Sequence, residues 1–331
     1  METNTNSVVT GLGESSGGGL FASSDSSSAS NLSYGSRINS NGDLEAAGDV
    51  TVRNSANNNV TSEANSDGGG LGASTDVDAE ANIGVAQGFI GADIILGTSS
   101  DIVGDRVVIV SDVVRNRADA RSDTTAGGLG GSATAESRTN INNASEVIIQ
   151  GGGTGNGAQI TGNDSILIQA RFSETVNRSD ADAALFAFAG SSNVRSTVDL
   201  RADTKVEGFW EAVLTTARLD VDVLVENVNH RATGNAHGIF IGPQRDGGNR
   251  IDTRTADLSR DIFWESHVIL KGAADPILVV NEDRVIEQIE NVDILGITGE
   301  DVGTVLGGTN IVLGDIVYDD IGSAEFFAND P

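Results

Sequence analysis

The same short text occurs three times in the first half of the chain. It reads GGLFASSDSSSASNLS at 18–33, GGLGASTDVDAEANIG at 69–84 and GGLGGSATAESRTNIN at 127–142. In each, the leucine of Gly-Gly-Leu stands the same distance before an Asn (Leu20 and Asn31, Leu71 and Asn82, Leu129 and Asn140), and that Asn precedes an apolar residue. A long fixed period constrains a fold more than local propensity does. A unit with little to bury gains stability only by stacking on its copies.

Two markers carry the period further. Asn before an apolar residue recurs at Asn31, Asn82, Asn140 and Asn193, with a looser Asn249-Arg250-Ile251, at intervals of 51, 58, 53 and 56. A triplet of β-formers recurs at Val50-Thr51-Val52, Val108-Ile109-Val110, Ile166-Leu167-Ile168, Val223-Leu224-Val225 and Leu278-Val279-Val280. Asp49, Asp105, Asp164 and Asp222 stand just upstream of the first four triplets. Together the markers define about five degenerate repeats with a period between 51 and 61.

Inside a repeat the period is two. Ala73, Thr75, Val77, Ala79, Ala81, Ile83 and Val85 share one parity, and Asp76, Asp78, Glu80 and Asn82 the other. The next copy puts Ala133, Ala135 and Ile141 inward and Ser132, Thr134, Glu136, Arg138 and Asn140 outward. Val221, Val223 and Val225 alternate with Asp222, Leu224 and Glu226 in the same way. Such alternation describes strands with one packed and one wet face. Helical punctuation is nearly absent; Ile286–Ile294 alone reads as a helical turn.

The expected fold is all-β, a parallel β-solenoid (β-helix) with a thin core of small residues. A string of small β-sandwiches is the alternative, disfavoured because such short units without aromatic cores are marginal on their own. Residues 1–14 are expected to be a disordered or capping N-terminus, 15–290 the repeat array, and 291–331 a partial repeat or C-terminal cap closed by Phe326-Phe327. Ser, Asn and Gly dominate residues 1–66, so disorder is the competing reading there.

Charge bounds the partners. With 48 acidic against 20 basic residues the formal charge is −28, which opposes binding to nucleic acid and anionic membranes. The absence of Cys excludes disulfides and thiolate chemistry. No apolar run reaches the roughly 18 residues a spanning helix needs, so membrane insertion is not expected. The sequence has no basic-apolar-small signal segment.

Candidate sites follow from residue type. The marker residues Asn31, Asn82, Asn140, Asn193 and Asn249 either stack as an amide ladder or each stabilise their own turn. Asp-x-Asp pairs, notably Asp76/Asp78 and Asp220/Asp222, place two carboxylates on one strand face where calcium could bridge them. Their registers differ between copies, so solubilising charge is the competing reading, and no cofactor is required. Trp210 and Trp264, close to one period apart, are candidates for a stacked aromatic glycan platform or for two core tryptophans. Arg218, Asp220, Asp222, Arg250, Asp252 and Arg254 are the charged residues a carbohydrate-active β-helix enzyme would draw on. No catalytic spacing joins them or the three His, so no catalytic residues are assigned. GGGTGNG at 151–157 lacks the ending of a phosphate loop.

The Gly-Gly-Leu-x10-Asn segments, the Ala/Asp alternation and the strands GDVTV, GDRVVIV and NDSILIQA resemble repeat regions of very large bacterial secreted or surface proteins. These are the filamentous-haemagglutinin-like and leukotoxin-type filamentous adhesins, and the resemblance covers roughly residues 15–280. It implies a non-enzymatic β-helical shaft, extracellular or on the cell surface. The shaft would meet a host or neighbouring-cell surface, a glycan or extracellular matrix. The family's export signal and amino-terminal secretion domain are missing here, so the chain is expected to be part of a larger polypeptide. A carbohydrate-active β-helix enzyme and a calcium-stabilised extracellular repeat module are the alternative functions.

Overall fold

The computed structural model describes residues 1–85, 91–152, 157–209 and 211–240, and beyond them a series of strands ending at Asn329. Side chains are described as far as Ala236, and at Phe263. Within these limits the protein is all-β, without a helix, and its strands pair in parallel. The main strands are β1 (Glu2–Tyr34), β2 (Ser36–Ser40), β3 (Asp43–Glu45), β4 (Val50–Val85), β5 (Ala92–Leu96), β6 (Asp101–Ile149) and β7 (Gln159–Phe172). They continue as β8 (Thr175–Gly208), β9 (Val213–Thr216), β10 (Arg218–Phe240) and β11 (Arg250–Trp264). Shorter strands follow, from β12 (His267–Leu270) to β19 (Glu325–Asn329).

One column of register partners runs through the chain. Glu2 lies beside Arg53, Arg53 beside Val110, Val110 beside Gln169, Gln169 beside Asp222, Asp222 beside Asn281 and Asn281 beside Asn329. The steps between these partners are near-equal, so each pass of the chain lies on the one before it. Residues 2–14, expected as a disordered or capping end, form the first part of β1 beside Arg53–Asn65. Ile286–Ile294, the one candidate helical turn, falls on β14 (Arg284–Gln288) and β15 (Asn291–Ile294). The described strands from Asn291 on pair with earlier ones.

Each pass has a wide end and a narrow end. At the wide end short strands and the ends of longer ones surround large aliphatics, among them Ile38, Val52, Ile94, Ile102, Ile109 and Ile160. At the narrow end two long walls face each other across Ala, Ser, Thr and Gly, as at Ala126, Ala133, Ala135, Ala181 and Ala183. There a serine on one wall reaches the other. Ser137 Oγ donates to Ala120 O at 2.9 Å and Ser192 Oγ to Ala183 O at 2.7 Å. Hydroxyls also chain across the walls and into the neighbouring pass: Ser196 bonds Ser179 across one pass and Ser179 bonds Ser137 of the pass before it, each at 2.8 Å. A buried serine without such a partner costs about 1–3 kcal/mol, so each of these contacts supports the close approach of the walls, although the buried hydroxyls of Ser26 and Ser122 make none.

The Gly-Gly corner closes the narrow end, and its glycines are required by sterics. A Cβ on Gly70 would overlap the carbonyl oxygen of Gly19, and one on Gly128 the carbonyl oxygen of Gly70. Gly18 lies beside Gly69 and Gly69 beside Gly127, so the three Gly-Gly-Leu copies stack directly.

Parity holds along the second long wall: Ala73, Thr75, Val77, Ala79, Ala81 and Ile83 are buried, while Asp76 and Asp78 are exposed. Two expectations need correction. The triplets align as Val50-Thr51-Val52 on Val107-Val108-Ile109, Ile166-Leu167-Ile168 and Leu219-Asp220-Val221, not on 108–110 or 223–225. Register shifts between Gly104 and Arg106 and between Ala56 and Asn57 absorb extra residues that equal spacing in sequence cannot reveal. Secondly, Val221–Val225 does not alternate, because every residue of that run is buried. The segment at Ile109–Val113 behaves identically. These are the bends where one pass enters the next, and there both strand faces are covered.

Candidate functional surface

Because the passes stack in register, the outer faces of the long walls are read as columns running along the stack. On the second wall Asn31 lies beside Asn82 and Asn82 beside Asn140. Asn82 Nδ2 donates to Asn31 Oδ1 at 2.7 Å and also to Glu80 Oε1 at 2.8 Å. The next position in this column is Asp199, not Asn193. Asn193 lies beside Thr134, out of step with Asn140. The pairing of β6 with β8, which runs without a shift from Asn116 on Thr175 to Ile149 on Gly208, explains the discrepancy. It brings Leu200, rather than Val194, onto the apolar column Leu32, Ile83 and Ile141. Asn249 lies outside the described residues.

Asp76 and Asp78 are on this same outer face. Asp25 lies beside Asp76, and Asp78 beside Glu136. Desolvation first, then the Asp25 charge, raises the Asp76 carboxyl above its ordinary value. Desolvation and Glu136 raise Asp78, while Arg138 opposes them. Higher in the stack the charge is balanced, since Arg138 and Arg195 both pair with Glu136, at 3.1 and 3.2 Å. Among the described residues no group of three or more metal-ligating side chains converges.

The pair Asp220/Asp222 does not share a face. Asp220 is on the outside, 2.8 Å from Arg218, whereas Asp222 is buried and accepts from Gln169 Nε2 at 3.1 Å. The register corrects the expectation of two carboxylates side by side, because Asp222 falls in the bend where alternation stops. Arg250 and Asp252 align with Arg195 and Thr197 of the second wall, while Arg218 aligns with Ile277 at the wide end. Arg254 falls in the register shift between Thr253 and Ala256. Trp210 lies outside the described residues. Trp264 ends β11 beside Gly208 and Leu313, and its side chain is likewise outside them. His230 is buried, its Nδ1 3.4 Å from Asn177 Nδ2.

Three features lie beyond what the sequence reading singled out. The corner exposes an apolar ridge along the stack: Leu20, Phe21, Leu71, Leu129, Phe186 and Phe188, with Phe21 86% and Leu20 69% exposed. Its signal in the sequence is the repeated Gly-Gly-Leu. The second feature is a buried clasp. Asp112 accepts from Arg53 at 3.2 Å, Arg171 at 2.7 Å and Ser173 at 2.9 Å, tying three passes together. The equal spacing of Arg53, Asp112 and Arg171 along the chain is its signal. The third is a charged column, Arg37, Asp93, Glu146 and Lys205, in direct register. Burial raises Asp93 despite a 2.5 Å contact with Arg37. Burial also pushes Glu146 up to about 7; Lys205 opposes the rise, and Glu207 and Asp93 add to it.

Comparisons with protein-family models, with curated proteins and with solved structures give no match.

Proposed function

We propose that this chain is a non-enzymatic β-solenoid, a structural or adhesive segment of a large exported surface protein that acts as a shaft or cell-surface interaction element. The observation that carries the reading is the single register column from Glu2 to Asn329, in which each pass lies parallel on the last. Stacked parallel passes advance about 4.8 Å each and can be extended by adding repeats, which suits a spacer. The ionic cluster on buried Asp112 joins passes to one another.

The native chain has no Cys, which makes the stacking testable by cross-linking. Ser74 Oγ and Ser132 Oγ are 3.0 Å apart although they belong to successive repeats. The double variant Ser74→Cys/Ser132→Cys is expected to form an intramolecular disulfide on mild oxidation, since register neighbours meet the Cα spacing a disulfide needs. Failure to form it under conditions where the chain is folded removes the solenoid. The surface role is tested separately, by an antibody to the purified chain applied to intact source cells. Labelling only after permeabilisation removes that role and leaves the fold standing.

A further inference from the structure

The apolar ridge follows from the way the Gly-Gly corner turns. Leu20, Leu71, Leu129 and Phe188 stand one to a pass at its tip, each bracketed by register partners. Leu71 and Leu129 have a neighbouring pass on both sides and are still 48% and 62% exposed, because the tip points them sideways from the stack. Successive side chains of such a column are about 4.8 Å apart. Phe21 and Phe186 widen the ridge, and the ring of Phe21 lies over Gly72, where a Cβ would be 3.0 Å from Phe21 Cδ1.

The columns beside the ridge are almost free of charge. Before the corner they are Gly18, Gly69, Gly127 and Phe186, then Ser16, Asp67, Thr125 and Ala184. After it they are Phe21, Gly72, Gly130 and Ala189, then the serines Ser23, Ser74, Ser132 and Ser191. Asp67 is the one charged residue among them, in a chain of which 21% is charged. Interface cores are depleted of charge in this way, and a like charge brought against another opposes association. The glycine shoulders leave the leucines standing clear of the walls. The six apolar side chains offer on the order of 700 Å² per copy, above the roughly 300–600 Å² of the largest patch on an ordinary monomer and near the ~800 Å² that each partner gives a standard interface.

We propose that this ridge is a dimerisation surface, on which a second copy of this chain packs its own ridge side by side about a two-fold axis. Two arguments select the partner. A row of side chains with a fixed repeat is matched over all four passes by a surface of the same repeat, and another copy always has it. The stripe is also where two chains of formal charge −28 meet with the fewest carboxylates between them. The same charge opposes an anionic lipid surface. The contact is isologous, so it closes at two copies. It rests on the stacked reading above and goes further by naming the surface and its partner.

Sedimentation of the full chain at micromolar concentration is expected to show twice the chain mass. Leu71→Glu/Leu129→Glu places four carboxylates in the contact and is expected to raise the dissociation constant by at least about tenfold. Leu71→Met/Leu129→Met keeps the ridge apolar and is expected to keep the dimer. At dilutions where the native chain is monomeric, the glutamate variant is expected to unfold at the same denaturant concentration, since both leucines are exposed. A chain that stays monomeric, open-ended species, or a dimer indifferent to the glutamates would each overturn the proposal. So would a monomer that binds zwitterionic lipid vesicles through the ridge, which assigns it to lipid. The Ser74→Cys/Ser132→Cys disulfide separates this failure from that of the stack. Formed within one chain of a monomer, it removes the dimer and leaves the stack; its absence removes the stack itself.

Discussion

Gly128 and Leu129 are neighbours in one corner but answer to opposite constraints. The backbone of the pass below comes so near Gly128 that a Cβ has no room against the Gly70 carbonyl. Leu129 points outward and is 62% exposed. Hydrophobicity alone would rank the leucine as the structural residue and the glycine as a loop filler; the stack reverses that order. Gly128→Ala is expected to cost about 1–3 kcal/mol, the range for forcing an atom into a packed site. Leu129→Ser should change stability by no more than about 0.5 kcal/mol. Denaturant titration of the two variants beside the native chain checks both, and equal losses would place the corner elsewhere.

At the scale of the element, the bend at Ile109–Val113 holds the Asp112 clasp. Asp112 is nearly fully buried and held by two arginines and a serine from neighbouring layers. Asp112→Ala leaves Arg53 and Arg171 facing a site without a counter-charge. The expected cost is about 3 kcal/mol, read as an earlier midpoint in urea with an unchanged slope. Glu146 works in the opposite sense. Its folded value of about 7 lies above its ordinary 4.5, so between those values the folded state binds more protons than the unfolded. Stability tied to this group is present below about pH 4.5 and is lost as pH rises through 7. Glu146→Gln should therefore raise stability by about 1–2 kcal/mol at pH 8, after allowing for solvent screening, and change little at pH 4.5. Melting curves at the two pH values measure the difference.

The elements also show how much the sequence disclosed. Period and parity were legible because stacking demands near-equal lengths and a two-residue alternation demands little else. The Gly-Gly-Leu copies and the Asn31, Asn82 and Asn140 positions therefore align as their spacing implies. Bulges and bends were illegible. An extra residue between Gly162 and Ser165, opposite Gly104–Arg106, sets Val107–Ile109 on Ile166–Ile168, and a bend that covers both faces erases alternation at Val221–Val225. Asn193 misled because Asn-Val imitates the marker, whereas the column continues through Asp199-Leu200.

Over the whole molecule, charge is distributed unevenly along the stack. The stretch from Met1 to Tyr34 holds Glu2, Glu14 and Asp25 and no basic side chain, so nearly all of the formal −28 falls on the later passes. Many of those charges are paired along one strand, as Arg218 with Asp220 and Arg201 with Asp203, and such exposed pairs contribute little each. The unpaired excess repels itself across layers only about 4.8 Å apart, well inside the Debye length of about 10 Å at about 0.1 M salt. Screening should therefore stabilise the fold: raising NaCl from about 0.01 M to about 0.5 M is expected to increase the melting temperature by several degrees. The acidic second-wall face, where Asp25, Asp76, Asp78 and Glu136 adjoin one another, makes calcium the informative comparison. At matched ionic strength CaCl2 should match NaCl if these carboxylates act as diffuse charge. A further gain with calcium that Asp76→Asn/Asp78→Asn abolishes would instead identify a bound ion on that face.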